Sequence, residues 1–121
     1  MGRIFLRVEV KNAKGVHARP ASCIVQACLQ VSVDIELWCW EGAYYKMVNP
    51  RSIMALLTCA LTRGTVFYLC LRGCEGADLD AAVTQLKTRL EYAGSSGRDL
   101  ETGITVIDEQ QLPEQLRKVL A

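Results

Sequence analysis

The 121-residue chain lacks any apolar run of the ~18 residues that a membrane-spanning helix needs, so no membrane insertion is expected. It also lacks an excess of either charge: 14 Lys and Arg face 13 Asp and Glu, a formal net charge of +1. So balanced a chain has no strong field to draw a polyanion, and nucleic acid is not expected as a partner. The opening MGRIFLRVEV has no signal-like apolar block and alternates instead, which points to the cytoplasm. Six cysteines are present, but no Cys-x-x-Cys pair, and CLRGC (Cys70 to Cys74) has no matching second half. Cys23, Cys28, Cys39, Cys59, Cys70 and Cys74 lie mostly in apolar segments. They are expected to be reduced and buried, neither a disulfide framework nor a metal site. A metal- or redox-active cysteine protein is the rival these residues leave open. With 50% hydrophobic residues the chain can fill a core, and its length suits one ordinary domain.

Local periodicity supplies the architecture. Ile4, Leu6, Val8 and Val10 alternate with charged residues, as in a strand with one buried face. From Ala18 to about Leu29 the spacing turns helical, with Ala21, Ile24, Val25, Cys28 and Leu29 as the apolar stripe and Pro20 in the first turn. Val33 to Trp40 alternates again. Glu41 and Gly42 turn it into a second run, Tyr44 to Val48, which Asn49 and Pro50 stop. Ser52 is placed to cap a short helix carrying Ile53, Met54, Leu56 and Leu57. Thr65 to Leu71 is rich in strand formers, and Asp78 is the expected cap of a helix along Leu79, Ala82, Val83, Leu86 and Leu90. The order is βαββαβα: an α+β domain, with a four-stranded antiparallel sheet covered by helices on one face.

Gly94, Ser95, Ser96 and Gly97 read as a linker. Residues 1–93 are therefore expected to form the domain, and 94–121 a C-terminal extension of unassigned role. Within it Ile104 to Ile107 suits a short strand, and Leu112, Leu116, Val119 and Leu120 suit a small helix begun near Pro113.

The stretch GVHARPASC, residues 15–23, holds the single histidine of the chain. His17 falls at the start of a helix, where backbone N–H groups lack partners and the helix dipole is positive. It could simply be a helix cap. The same place holds an anion well, though, and Arg19 adds a permanent charge and several donors. A ring nitrogen that attacks phosphorus there would find its new negative charge met by the amides of Ala18 and Arg19. Phosphoryl transfer depends mainly on such positioning and charge stabilisation. With no second histidine and no Gly-rich phosphate loop, neither metal nor cofactor is expected.

Gly15-Val16-His17-Ala18-Arg19-Pro20-Ala21 resembles the active-site signature of the histidine-containing phosphocarrier proteins, HPr, of the bacterial phosphotransferase system. Val48-Asn49-Pro50-Arg51-Ser52-Ile53-Met54 is similar to that family's regulatory-serine region. Gly76-Ala77-Asp78 is similar to the start of its last helix. The similarity runs from about Ile4 to Leu90, and the family's βαββαβα open-faced sandwich has the element order read above. The resemblance implies that His17 takes a phosphoryl group on its δ nitrogen from enzyme I and passes it to the A domain of a sugar permease. The protein would then be a phosphoryl carrier and not a turnover enzyme. It also implies a regulatory phosphorylation of Ser52 by an HPr kinase/phosphorylase, read by a transcription regulator, and a partner-docking role for Ile53 and Met54. The alternative is a regulatory interaction protein that signals through Ser52 without sugar transport. Two features depart from the family: Arg51 replaces its common lysine, and a longer hairpin carries Trp38, Trp40, Tyr44 and Tyr45, expected as sheet cover.

Overall fold

The structure, a computed structural model, describes residues 2–94 and 99–121. Its elements are β1 (Gly2–Val10), α1 (Ala18–Leu29), β2 (Asp34–Trp40), β3 (Tyr45–Val48), α2 (Ile53–Leu57), β4 (Val66–Gly73), α3 (Gly76–Leu90), β5 (Tyr92–Ala93), β6 (Leu100–Ile107) and α4 (Glu114–Leu120). The strands form one sheet in the order β3-β2-β4-β1-β6-β5, with every neighbouring pair antiparallel.

Each alternating segment does what its period requires. Leu6 and Val8 of β1, Ile35, Leu37 and Cys39 of β2, and Phe67, Leu69 and Leu71 of β4 point into one core. Against them pack Ala21, Ile24, Val25 and Cys28 of α1, Leu56 of α2, and Leu79, Ala82, Leu86 and Leu90 of α3. Leu29, counted in the α1 stripe from sequence, is 58% exposed at the end of the helix. The expected cap of α3 also moves. The helix begins at Gly76 with Glu75 as its N-cap, and Asp78 sits in the first turn, where its carboxylate still complements the dipole.

The main correction concerns the sheet, which has six strands and not four. An antiparallel sheet ending at β1 would leave a row of backbone groups without partners. β6 fills that edge from Phe5↔Ile107 to Val10↔Thr102, and β5 pairs with β6. Thr102 is buried; its hydroxyl donates to Leu90 O at 2.9 Å, and its N–H to Glu91 O at 3.2 Å, so β6 satisfies carbonyls at the end of α3. Ser95, Ser96 and Gly97 of the expected linker lie outside the described residues.

Helices on one face only is the second expectation that changes. Phe5, Tyr68 and Cys70 alternate with the core residues of β1 and β4, so they face the other way. There they form a second buried cluster with Ile107, Leu112 and Leu116. Leu116 and Leu120, four residues apart, lie on one side of α4, and Leu112 joins them from just before the helix, while Val119 is 54% exposed. Arg3 fastens this helix: its guanidinium donates to Leu120 O at 3.2 Å, pairs with Glu109 at 2.6 Å and lies 5.2 Å from the Phe5 ring centre. Beyond α4 the same face carries the hairpin aromatics. Trp40 and Tyr45 meet edge to face at 5.0 Å, and Tyr45 and Tyr68 at 6.1 Å. Trp38 and Tyr45 are half-buried, Trp40 and Tyr44 exposed. No helix among the described residues is long and apolar enough to cross a membrane.

Arg51 has a structural task. Its guanidinium donates to Cys28 O, Val31 O and Val33 O at 3.0, 3.1 and 2.9 Å, joining the end of α1 to the start of β2. A planar fork with several donors can serve three carbonyls at once; a lysine ammonium at this site cannot match that geometry. Replacing Arg51 by Leu leaves the three carbonyls to find water. The expected loss is about 2 kcal/mol, read as a lower denaturant midpoint, with Arg51→Lys between the two. An unchanged midpoint would mean that water replaces the guanidinium without cost.

Candidate functional site

The loop before α1 is held by backbone geometry. Gly15 N–H donates to Asn12 O at 3.1 Å, and Asn12 Nδ2 returns a bond to Gly15 O at 2.6 Å. Gly15 has φ +68°, and a Cβ there would come within 2.6 Å of Leu61 O. Only glycine fits, because side chains disfavour this φ and the carbonyl is backbone. That same Leu61 O accepts from Val16 N–H at 2.7 Å, so the chain enters α1 at a fixed angle. β6 reaches this loop as well: Lys11 N–H donates to Glu101 O at 2.9 Å, and Glu101 N–H to Asn12 Oδ1 at 3.4 Å.

His17 is the N-cap of the twelve-residue α1, with extended backbone and no cap hydrogen bond from its side chain. The imidazole is exposed. Ala21 N–H is the first to pair along the helix, at 2.8 Å from His17 O, and Pro20 has no N–H. The N–H groups of Ala18 and Arg19 therefore have no intrahelical acceptor, as the first turn of any helix dictates. At this end of the helix a cavity of about 380 Å³ is lined by Asn12, Lys14, His17, Arg19, Pro20 and Asp99 among others. His17 and two cationic residues thus line one open space at a helix start whose first amides lack intrahelical acceptors, an arrangement suited to an anion attached to or approaching the imidazole.

Asp99 adds what the sequence did not signal. Its carboxylate stands 3.8 Å from the Arg19 guanidinium, which is 73% exposed. It arrives from the residues before β6, a segment that carries no motif, so only the folded chain reveals it. Cys23, one turn beyond Arg19, offers no competing nucleophile. Burial first, and then the Asp99 carboxylate, push its thiol above the ordinary range, while Arg19 acts in the opposite sense.

The second group of expected residues lies on α2. Ser52 is its N-cap and is half-buried; its Oγ accepts from Ala55 N–H at 3.2 Å. Ile53 and Met54 are 40% and 77% exposed, and Leu57, expected from sequence as part of the apolar run but not as a docking residue, is 44% exposed. Among the described residues no group of three or more His, Cys, Asp or Glu is placed to hold a metal ion.

The family model for the HPr component of the phosphotransferase system, centred on its phosphorylation site, matches residues 6–91. Phosphocarrier protein HPr of Neisseria meningitidis serogroup A is 32% identical over 79 residues, 65% of this chain and 84% of that one. The solved histidine-containing phosphocarrier protein of Mycoplasma shares 26% identity at a TM-score of 0.60, covering 72% of this chain and 91% of its own. HPr from Bacillus anthracis shares 28% at a TM-score of 0.55, covering 70% and 98%. In each case more than four fifths of the relative is matched while a quarter or more of this chain is left over. The match, which spans the His17 loop and all three helices of the main core, shows that the chain belongs to the HPr family of phosphotransferase-system phosphocarriers.

Proposed function

We propose that His17 accepts a phosphoryl group from phosphorylated enzyme I and passes it to the A domain of a sugar permease, in the cytoplasm. The observation that carries this reading is the exposed imidazole at the N-cap of α1, beside two helix amides that lack an intrahelical acceptor. In the step itself the lone pair of a neutral ring nitrogen, the δ nitrogen by family resemblance, attacks phosphorus in line with the bond to the donor. That bond breaks as the new N–P bond forms, and the donor group of enzyme I leaves with the electron pair. The oxygens of the transferred group then meet the amides of Ala18 and Arg19 and the Arg19 guanidinium. Arg19 must first give up Asp99. Their contact, 3.8 Å with a largely solvated guanidinium, is worth at most about 1 kcal/mol, so the exchange is cheap. The chain ends each cycle unchanged, as a carrier and not a turnover enzyme.

Incubation with purified enzyme I and labelled phosphoenolpyruvate tests the proposal. Acid-labile label approaching one phosphate per chain supports it. No label would leave the regulatory alternative, in which the protein signals to a transcription regulator through Ser52 alone.

Ser52 is proposed as a regulatory phosphorylation site for an HPr kinase/phosphorylase. A phosphate of roughly −2 charge placed beside exposed Ile53 and Met54 opposes the docking of an apolar partner face. Ser52→Asp is expected to slow phosphorylation of His17 roughly tenfold, or ~1.4 kcal/mol of barrier, without shifting the thermal midpoint. Equal rates for the two proteins would remove Ser52 from the control of transfer.

A further inference from the structure

Cys39 and Cys59 come from different parts of the chain, β2 and the turn after α2, yet their sulfurs lie 2.9 Å apart, with Cys39 Sγ donating to Cys59 Sγ. Both are free thiols. A disulfide needs S–S of about 2.05 Å, so less than an ångström of closure separates the pair from a covalent bond. Two thiols so placed have little entropy left to lose on joining.

The surroundings favour reaction at Cys59. Lys46 Nζ donates to both Thr58 O and Thr58 Oγ1 at 3.1 Å and lies 3.2 Å from the Glu41 carboxylate, which brings an ammonium next to Cys59. The S–H of Cys39, followed by Lys46 and Thr58, holds the Cys59 thiol below its ordinary range against the opposing effects of burial and Glu41. Cys39, which gives the proton, is pushed the other way. Cys59 is 5% exposed but is flanked by Thr58 and Ala60, both exposed, so a small oxidant has only a short way to travel. The remaining thiols are placed differently. Burial pushes Cys28 up to about 12 and raises Cys70, and Cys74 is exposed.

We propose that Cys39 and Cys59 form a redox pair that a hydroperoxide closes to an intramolecular disulfide, tying the end of α2 to β2. The Cys59 thiolate attacks one peroxide oxygen; the O–O bond breaks, and the departing hydroxide takes a proton to become water. Cys59 is then a sulfenic acid. The Cys39 sulfur attacks it and loses its proton, the S–O bond breaks, and hydroxide and proton leave as a second water. Two thiols and one hydrogen peroxide give one disulfide and two waters: the sulfurs lose two electrons and the peroxide oxygens gain them. The closed ring spans residues 39–59 and contains β3, Ser52 and all of α2. The exposed Ile53–Met54 surface is thereby restrained from its far end.

Treatment of the full chain with stoichiometric hydrogen peroxide, followed by alkylation and peptide mass mapping, tests the pair. The expected product is a Cys39–Cys59 cross-linked peptide lighter by two hydrogens, reopened by dithiothreitol, with Cys28 and Cys70 still alkylated. In Cys39→Ser, Cys59 should stop at the sulfenic acid, which a dimedone label captures. Recovery of Cys39 and Cys59 both alkylated while Cys74 is oxidised would overturn the proposal, as would linkage of either to another cysteine. Amide exchange in Ile53–Leu57 is expected to slow on oxidation; a formed bridge with unchanged exchange would overturn the restraint on α2.

Discussion

His17→Ala is expected to take up no measurable acid-labile phosphate from phosphorylated enzyme I, yet to fold as the wild type does. The loss is expected because the chain contains no other histidine, and burial and Asp99 raise the thiol of Cys23, one turn beyond Arg19. A fall to below about a thousandth of the wild-type rate, ~4 kcal/mol of barrier, is the expected size. The fold survives for an equally local reason. The imidazole is exposed and makes no cap hydrogen bond, so alanine removes neither packing nor a satisfied amide. The thermal midpoint should move by no more than that of an ordinary surface change, about 0.5 kcal/mol. Acid-labile label persisting on His17→Ala would place the acceptor elsewhere and dissolve the reading of the α1 cavity as a phosphate site.

The parts of this molecule that could be read from sequence are those whose cause is local. The switch from alternation in Ile4–Val10 to helical spacing after Ala18 is a change of period, and it places His17 at the N-cap before any coordinates are known. Ser52 is legible for the same reason: a hydroxyl before a short apolar run serves the amides of its own turn. What was missed depends on distant segments meeting. β6 carries Thr102 between buried Leu100 and Ile104, where a clean strand pattern would have an apolar residue, because Thr102 is spent on Leu90 O; the sequence therefore shows only its last half, Ile104 to Ile107. Asp99 carries no spacing that ties it to Arg19. Cys39 and Cys59 are 20 positions apart, far from any motif spacing, and only the folding back of the chain through β3 and α2 brings their sulfurs together.

The extension also links two faces of the sheet that have different tasks. β6 bonds to β1 along its edge and to the His17 loop through Glu101 and Asn12, while α4 crosses to the face opposite α1. The region beyond the family match thus contributes a carboxylate to the cavity beside His17 and an apolar cover to the sheet. These are separable, since one acts through charge at the loop and the other through burial.

Leu116→Ala makes that separation measurable. Leu116 is fully buried against the cluster of Phe5, Tyr68, Cys70, Ile107 and Leu112. Truncating such a leucine costs the lost transfer free energy and leaves a cavity, typically 2–5 kcal/mol, and about 3 kcal/mol is expected here. A helix of seven residues has too few turns to persist in water by itself, so α4 depends on this contact for its existence. Once it undocks, Phe5, Tyr68 and Ile107 meet solvent. The thermal midpoint should fall by about 10 °C, with new binding of an apolar dye and faster amide exchange in 114–120. Phosphorylation of His17 at 25 °C should stay within a factor of two, because Leu116 and the imidazole lie on opposite sides of the sheet and share no contact. A midpoint within 2 °C of wild type would show that α4 adds nothing to the sheet it covers. A parallel loss of phosphorylation would show instead that the cover and the loop act as one unit through β6.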